Sequence, residues 1–372
     1  MFKIDYSHDN NVDWFDRVKN LNEFCIYNLS EPVSLFPLLG NIANDEHSLT
    51  KKSIYYHLSY LKNKKIVIVA SDINYLKNFE KIKQIYNYDH DISLLNYPWM
   101  FLNQYFLLDE YLLANNNFKI ENKAIFLSGG KKLCRLFIIK ELYKYDKFLY
   151  SNPGYFDTSN EDEEYVIQKC ELKNNRFEVI INEKPFKMTG DFSIGSMNFK
   201  YDNFDTKNNV YFPIFKNFYK NVDVVDFKTP VHAYELVPEE YLQSAISFFC
   251  ETQTVLTSHL TEKTIKNFYY KKPFFAFACQ GYYDFLVKND FLLYDELFDY
   301  SLDNFDYEKR LRSYVFECKK ILNMSLSDII EITHGLKDKI EHNFHVCVNI
   351  SKKYSKIHGI KKNRIDYILD RL

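Results

Sequence analysis

Cys250-Glu251-Thr252, then Leu260-Thr261-Glu262-Lys263-Thr264, then Lys272-Pro273-Phe274-Phe275-Ala276-Phe277 is the stretch that decides how this chain folds. Thr261 stands where a helix N-cap belongs, just ahead of the helical pattern Ile265 to Tyr270. That pattern runs directly into an apolar strand, Pro273 to Cys279. A helix start carries exposed N–H groups and a partial positive charge, which suits a diphosphate. Lys263 adds a full charge at the same place, and Glu262 beside it can accept from ribose hydroxyls. Thr-Glu-Lys-Thr is also an ordinary way to open a surface helix, with Glu262 complementing the dipole, so both readings stand at this level.

Outward from this stretch the chain alternates strands and helices. Lys64-Lys65-Ile66-Val67-Ile68-Val69-Ala70-Ser71-Asp72 is a β-branched run ending in small and polar residues, the pattern of a buried parallel strand that opens into a loop. Ala124-Ile125-Phe126-Leu127-Ser128-Gly129-Gly130 repeats that form. Ligands in open α/β sheets lie beyond the carboxyl ends of strands, so both segments end where a binding crevice belongs. From Ser151 to Asp205 the texture changes to turns, the acidic cluster Glu161-Asp162-Glu163-Glu164, and alternating residues such as Phe177 to Ile181, which reads as an insertion or hairpin region. Farther on, the pattern predicts strands at Ser247 to Cys250 and Phe274 to Ala278. Helices are predicted at Pro238 to Leu242, Glu262 to Tyr270, Tyr282 to Lys288 and Tyr307 to Leu322. Ser325-Leu326-Ser327-Asp328 then opens a helix carrying Ile329, Leu336, Ile340 and Phe344, and Asn363 to Leu372 is a further helix candidate.

This order of elements resembles the donor-binding half of GT-B glycosyltransferases, in particular a fucosyltransferase-like and phage-type glycosyltransferase-like group. The resemblance rests on Glu251-Thr252, Thr261-Glu262-Lys263-Thr264, Lys272-Pro273-Phe274-Phe275, Gln280-Gly281, Leu286 through Asn289-Asp290-Phe291, and Phe305-Asp306-Tyr307-Glu308-Lys309-Arg310. A fainter match covers Lys123 to Arg135 and continues through Glu141-Leu142-Tyr143 to Ser151, without the further basic or histidine residues that the group carries in its loop. The resemblance implies two Rossmann-like α/β domains with a deep cleft between them. Residues 1–220 would form an acceptor-side domain with an irregular insertion near 151–205, residues 221–350 a nucleotide-sugar domain, and residues 351–372 a helix packing back on the first domain.

It also implies a metal-independent reaction, transfer of a sugar from a nucleotide-diphosphate donor to a hydroxyl acceptor such as a modified DNA base or a glycan, with the donor as substrate and no cofactor. Thr261, Glu262 and Lys263 would hold the donor, with Lys131, Lys132 or Arg135 reaching the phosphates from the Gly129-Gly130 loop. Glu251 is the candidate catalytic base, with orientation of the sugar as its other role. His232 and Glu235 are weaker candidates for the same task. The alternative from another class is a non-catalytic binding protein that keeps a degenerate form of this fold.

Composition narrows the remaining classes. A chain of 372 residues suits two domains of ordinary size. Its 48 Lys and Arg against 50 Asp and Glu give a net charge of -2, which excludes a general polycation strategy for nucleic acids and leaves only local patches such as the lysines at 352, 353, 356, 361 and 362. Seven cysteines without a C-x-x-C spacing imply neither a disulfide framework nor a zinc site, and point to a reducing compartment. No metal site is expected, because His342 and His345 lack a third ligand at suitable spacing. The N-terminus has no signal-peptide pattern and no window reaches a membrane span, so a cytoplasmic protein is expected, in the host cytoplasm if phage-encoded. With 31 Tyr and 33 Phe but only 9 Gly, aromatic stripes are expected to be core rather than stacking platforms.

Overall fold

The computed structural model describes residues 118–127, 132–150, 164–181, 183–188, 198–201, 239–251, 254–255 and 260–358, with the strand backbones at 2–5, 24–29, 65–70 and 92–96. Side chains at 164–168, 198–201, 239, 262 and 352–358 fall outside that set. The protein is a mixed α/β fold in which two sheets are wholly parallel. The strands are β1 (Phe2–Asp5), β2 (Phe24–Leu29), β3 (Lys65–Ala70), β4 (Ile92–Asn96), β5 (Asn122–Leu127), β6 (Phe148–Tyr150), β7 (Glu164–Lys173), β8 (Arg176–Ile181), β9 (Lys184–Met188), β10 (Asn198–Tyr201), β11 (Ser244–Cys250) and β12 (Phe274–Phe277). The helices are α1 (Leu133–Leu142), α2 (Glu239–Leu242), α3 (Glu262–Tyr269), α4 (Tyr282–Lys288), α5 (Tyr307–Asn323), α6 (Leu326–Gly335) and α7 (Lys337–His358), with a 3₁₀ turn at Tyr300–Asn304.

The chain divides into two compact units. One holds Met1–Tyr105, Leu256–Leu260 and Asn349–Leu372; the other holds Phe106–Val255 and Thr261–Val348. Within the first, β1 to β4 form a parallel sheet in chain order, with Cys25 paired to Phe2 on one side and Ile66 on the other. Lys65–Ala70 is thus the parallel strand its β-branched run predicts.

The second unit contains two sheets. One runs β10-β7-β8-β9, with β7, β8 and β9 joined as antiparallel hairpins and β10 parallel to β7. This is the hairpin region expected within 151–205; of its acidic cluster, Glu161 to Glu163 lie outside the described residues. The other sheet runs β12-β11-β5-β6, all parallel. Here the boundary differs from a break near residue 220. β5 lies beside β11, with Ile246 opposite Ala124 and Phe248 opposite Phe126, so segments assigned to separate domains share one sheet. A parallel pairing needs a crossover rather than a hairpin, and sequence pattern does not say which distant strand becomes the neighbour.

Every residue of β11 and β12 is buried, as expected of parallel strands covered on both faces. The aromatic excess becomes this core. Phe275 stacks on Phe298 with centroids 4.4 Å apart and on Tyr314 at 5.0 Å, while Phe148 and Phe248 meet across the sheet at 6.4 Å. Buried phenols need partners. The Tyr314 hydroxyl donates to the carbonyls of Phe249 (3.1 Å) and Phe275 (3.3 Å). On the outermost strand, β12, the Tyr283 hydroxyl donates to the Ala276 carbonyl (2.7 Å) and accepts from the Ala276 N–H (2.8 Å).

Side-chain caps open two of the C-terminal helices, the second at the expected Ser325. Asp306 accepts from the Lys309 N–H at 2.9 Å to start α5, and Ser325 accepts from Asp328 at 3.1 Å to start α6. The single helix expected from Ser325 through Phe344 is divided, with α6 ending at Gly335 and α7 starting at Lys337. The helix candidate Asn363 to Leu372 lies outside the described residues.

Candidate functional site

Parallel strands align their carboxyl ends, and at this end of β11 the chain gathers the residues quoted at the outset. Glu251 extends the ladder by one residue, its N–H donating to the Phe277 carbonyl at 2.9 Å. Its side chain is fully buried. One carboxylate oxygen accepts from the Thr261 N–H (3.2 Å) and the Thr264 hydroxyl (2.5 Å), and the other accepts from the Thr261 hydroxyl at 2.6 Å. Thr264 gives its single hydroxyl proton to Glu251, so the Tyr282 hydroxyl, 2.6 Å away, is the donor to Thr264. Burial, then the Glu251 charge, pushes the Tyr282 phenol well above its usual range, so it stays protonated and able to donate.

Thr261 serves two purposes. Its hydroxyl hydrogen points at Glu251 while its oxygen accepts from the Lys263 N–H at 3.3 Å, the N-cap bond of α3. Helix capping and the cluster around Glu251 are therefore one arrangement. Lys263 sits in the first turn, half-buried, and its carbonyl accepts from the Asn267 amide at 2.6 Å. Glu262 is the first residue of α3, and its side chain lies outside the described residues.

Arg135 reaches the same place from α1. It is buried, and one guanidinium nitrogen donates to the carbonyls of Cys250 (3.2 Å) and Glu251 (3.3 Å). The structure thus joins Glu251, Thr261, Lys263 and Arg135 at one strand end. Lys132, the residue before α1, is also buried. Lys131, Thr252, His232 and Glu235 lie outside the described residues.

Asp303 is a buried carboxylate with no obvious sequence signal. One of its oxygens accepts from the N–H groups of Gly281 and Tyr282, both at 3.1 Å, and the other from Tyr283 (3.1 Å) and Asp284 (3.2 Å). It fills the N-terminus of α4, whose N-cap is Gly281, a residue with no side chain to cap with and a φ of 84° that favours glycine. Burial pushes the Asp303 carboxyl up, with the amide bond from Asp284 pulling the other way.

Lys272 lies elsewhere. Its ammonium nitrogen donates to the carbonyl of Ser244, the first residue of β11, and sits 4.9 Å from the centre of the Tyr241 ring. Seven residues at about 3.3 Å each span this strand, so the Lys272 ammonium lies about 20 Å from the Glu251 cluster, while Phe274 already pairs with Ser247 partway along β11. Burial pushes the Lys272 ammonium down to about 7. Of the two histidines considered as metal ligands, His342 hydrogen-bonds through Nε2 with the Asp290 carbonyl at 2.8 Å and His345 packs against Phe344. Among the described residues no group of three or more His, Cys, Asp or Glu could hold a metal ion, and no helix is long and apolar enough to cross a membrane.

No protein-family model and no characterised protein matches the chain at the level of sequence. One solved structure, the DNA-modifying enzyme β-glucosyltransferase with and without its substrate uridine diphosphoglucose, is similar at 9% identity and a TM-score of 0.35, over 91% of this chain and 74% of that one. A likeness at that level defines neither fold nor chemistry for this chain.

Proposed function

We propose that this chain is a glycosyltransferase that moves a sugar from a nucleotide-diphosphate donor to a hydroxyl acceptor, a modified DNA base or a glycan, without a metal ion. The observation that supports it is the cluster of Glu251, Thr261 and Thr264, which fixes the start of α3, with Lys263 in its first turn, at the carboxyl end of a parallel strand. In this reading Lys263 and the α3 dipole neutralise the charge that builds up on the departing diphosphate. Glu262 accepts from the ribose hydroxyls, and Lys131 supplies charge from the loop before α1. Arg135 holds the end of β11 through its bonds to the Cys250 and Glu251 carbonyls. Both oxygens of Glu251 are engaged by threonines and its side chain is fully buried, so its part is to fix the start of α3 rather than to act as base or touch the sugar.

A nucleotide-sugar-binding protein without turnover is the second reading, favoured by the same engagement of Glu251, since it leaves the acceptor's base unassigned. Both are tested by incubating the protein with a panel of nucleotide sugars and measuring donor hydrolysis and transfer. Lys263→Ala and Glu262→Ala are each expected to lower turnover by about 100-fold or more. Wild-type rates in both variants would sink the proposed site, while calorimetric donor binding without turnover in the wild type selects the second reading.

A further inference from the structure

Cys134 and Cys250 are separated by 116 positions in the chain, yet their sulfurs are 3.5 Å apart in the core. Cys134 is in the first turn of α1 and Cys250 is the last residue of β11; both are reduced and buried. Cys318 and Cys347, also buried, meet the phenols of Tyr314 and Tyr269 instead. The pair flanks the candidate site from α1 and from β11. Arg135 follows Cys134 and donates to the carbonyls of Cys250 and Glu251, and the Cys250 thiol reaches the Glu251 carbonyl at 3.5 Å.

We infer that Cys134 and Cys250 form a reversible dithiol–disulfide switch that clamps the first turn of α1 to the end of β11. The oxidant is a small peroxide, which can enter during local opening of the core where a bulky disulfide reagent cannot. One thiol sulfur attacks the peroxide oxygen and becomes a sulfenic acid as the O–O bond breaks and water leaves. The second sulfur then displaces the sulfenic oxygen, which departs with the remaining thiol proton as a second water. Two electrons pass from the thiol pair to the peroxide: two thiols and one hydrogen peroxide give one disulfide and two waters. A disulfide bond of about 2.05 Å requires the sulfurs to approach by about 1.5 Å, a distance that side-chain rotation and a small shift of α1 must share. That shift resets the bonds of Arg135 to the strand end. A chain in a reducing compartment would then register oxidation at this one strand end and recover when thiols are restored.

The inference does not depend on the transfer reading, and its test needs no substrate. The native protein is treated with hydrogen peroxide, alkylated, digested without reduction and mapped. The expected product joins the peptide carrying Cys134 to the one carrying Cys250, lighter by two hydrogens than the reduced pair, and dithiothreitol separates them. Hydrogen exchange in the first turn of α1 slows in the oxidised protein, and Cys134→Ser and Cys250→Ser each abolish both effects. Should a serine variant fail to fold, the wild-type map and exchange still decide. Alkylation of both thiols after oxidation, linkage to other cysteines, or a linked product with unchanged exchange in α1 would each overturn the switch.

Discussion

The two ends of β11 both bury a charged side chain, but they satisfy it differently. At the carboxyl end the Glu251 carboxylate accepts three hydrogen bonds from Thr261 and Thr264, and Tyr282 donates behind Thr264. At the amino end the Lys272 ammonium has the Ser244 carbonyl and the face of Tyr241, and desolvation brings it down to about 7. A charge is kept in a core by the number and geometry of the dipoles aimed at it, not by depth alone. The end rich in hydrogen bonds is where chemistry is proposed, and the end poor in them is where pH is expected to act on stability.

The largest expected effect tests the amino end. Lys272 ordinarily titrates at 10.5, the value it regains on unfolding, against about 7 in the fold. Between those values the unfolded chain binds the extra proton, so stability rises as pH climbs from about 7 towards 10.5, by an order of magnitude of about 4 kcal/mol. Urea midpoints at pH 7 and pH 10 are expected to show this climb in the wild type and to lose it in Lys272→Met; parallel pH curves for the two proteins would erase the contrast between the strand ends. At the carboxyl end, Glu251→Leu strands three buried donors and is expected to cost about 3 kcal/mol, whereas Glu251→Gln keeps an acceptor and costs less. Denaturation of both variants orders them, and equal losses would mean that volume rather than hydrogen bonding sets the cost. The smallest effect is Tyr282→Phe, which removes one donor to Thr264 and is expected to cost about 1 kcal/mol by the same measurement. A loss matching that of Glu251→Leu would show that the relay acts as one unit.

Much of this unit was legible locally. The starts of α3 and α6 follow from Thr261 and Ser325, because side-chain caps are short-range chemistry, whereas the cap of α4 comes from distant Asp303. β11 starts earlier than the apolar run that revealed it, since Ser244 and Ala245 are buried without being large. Glu251, Thr261 and Thr264 could be singled out by type, but their mutual bonds depend on how the chain returns to the strand end. Lys271 and Lys272 are neighbours of the same type, yet Lys271 bridges Glu341 at 2.8 Å while Lys272 enters the core. The domain boundary was the least legible element, because the pairing of β5 with β11 is a long-range choice that neither strand's pattern encodes.

The hydroxyl of Tyr283 on Ala276 has a consequence for how the sheet ends. An outermost strand exposes a row of donors and acceptors onto which another polypeptide can add, and β12, rich in phenylalanine, is the kind of segment that invites it. By taking both the N–H and the C=O of Ala276, one phenol stands in for a further strand. Among the described residues the sheet stops at β12, and a neighbouring molecule's backbone finds that rung already occupied.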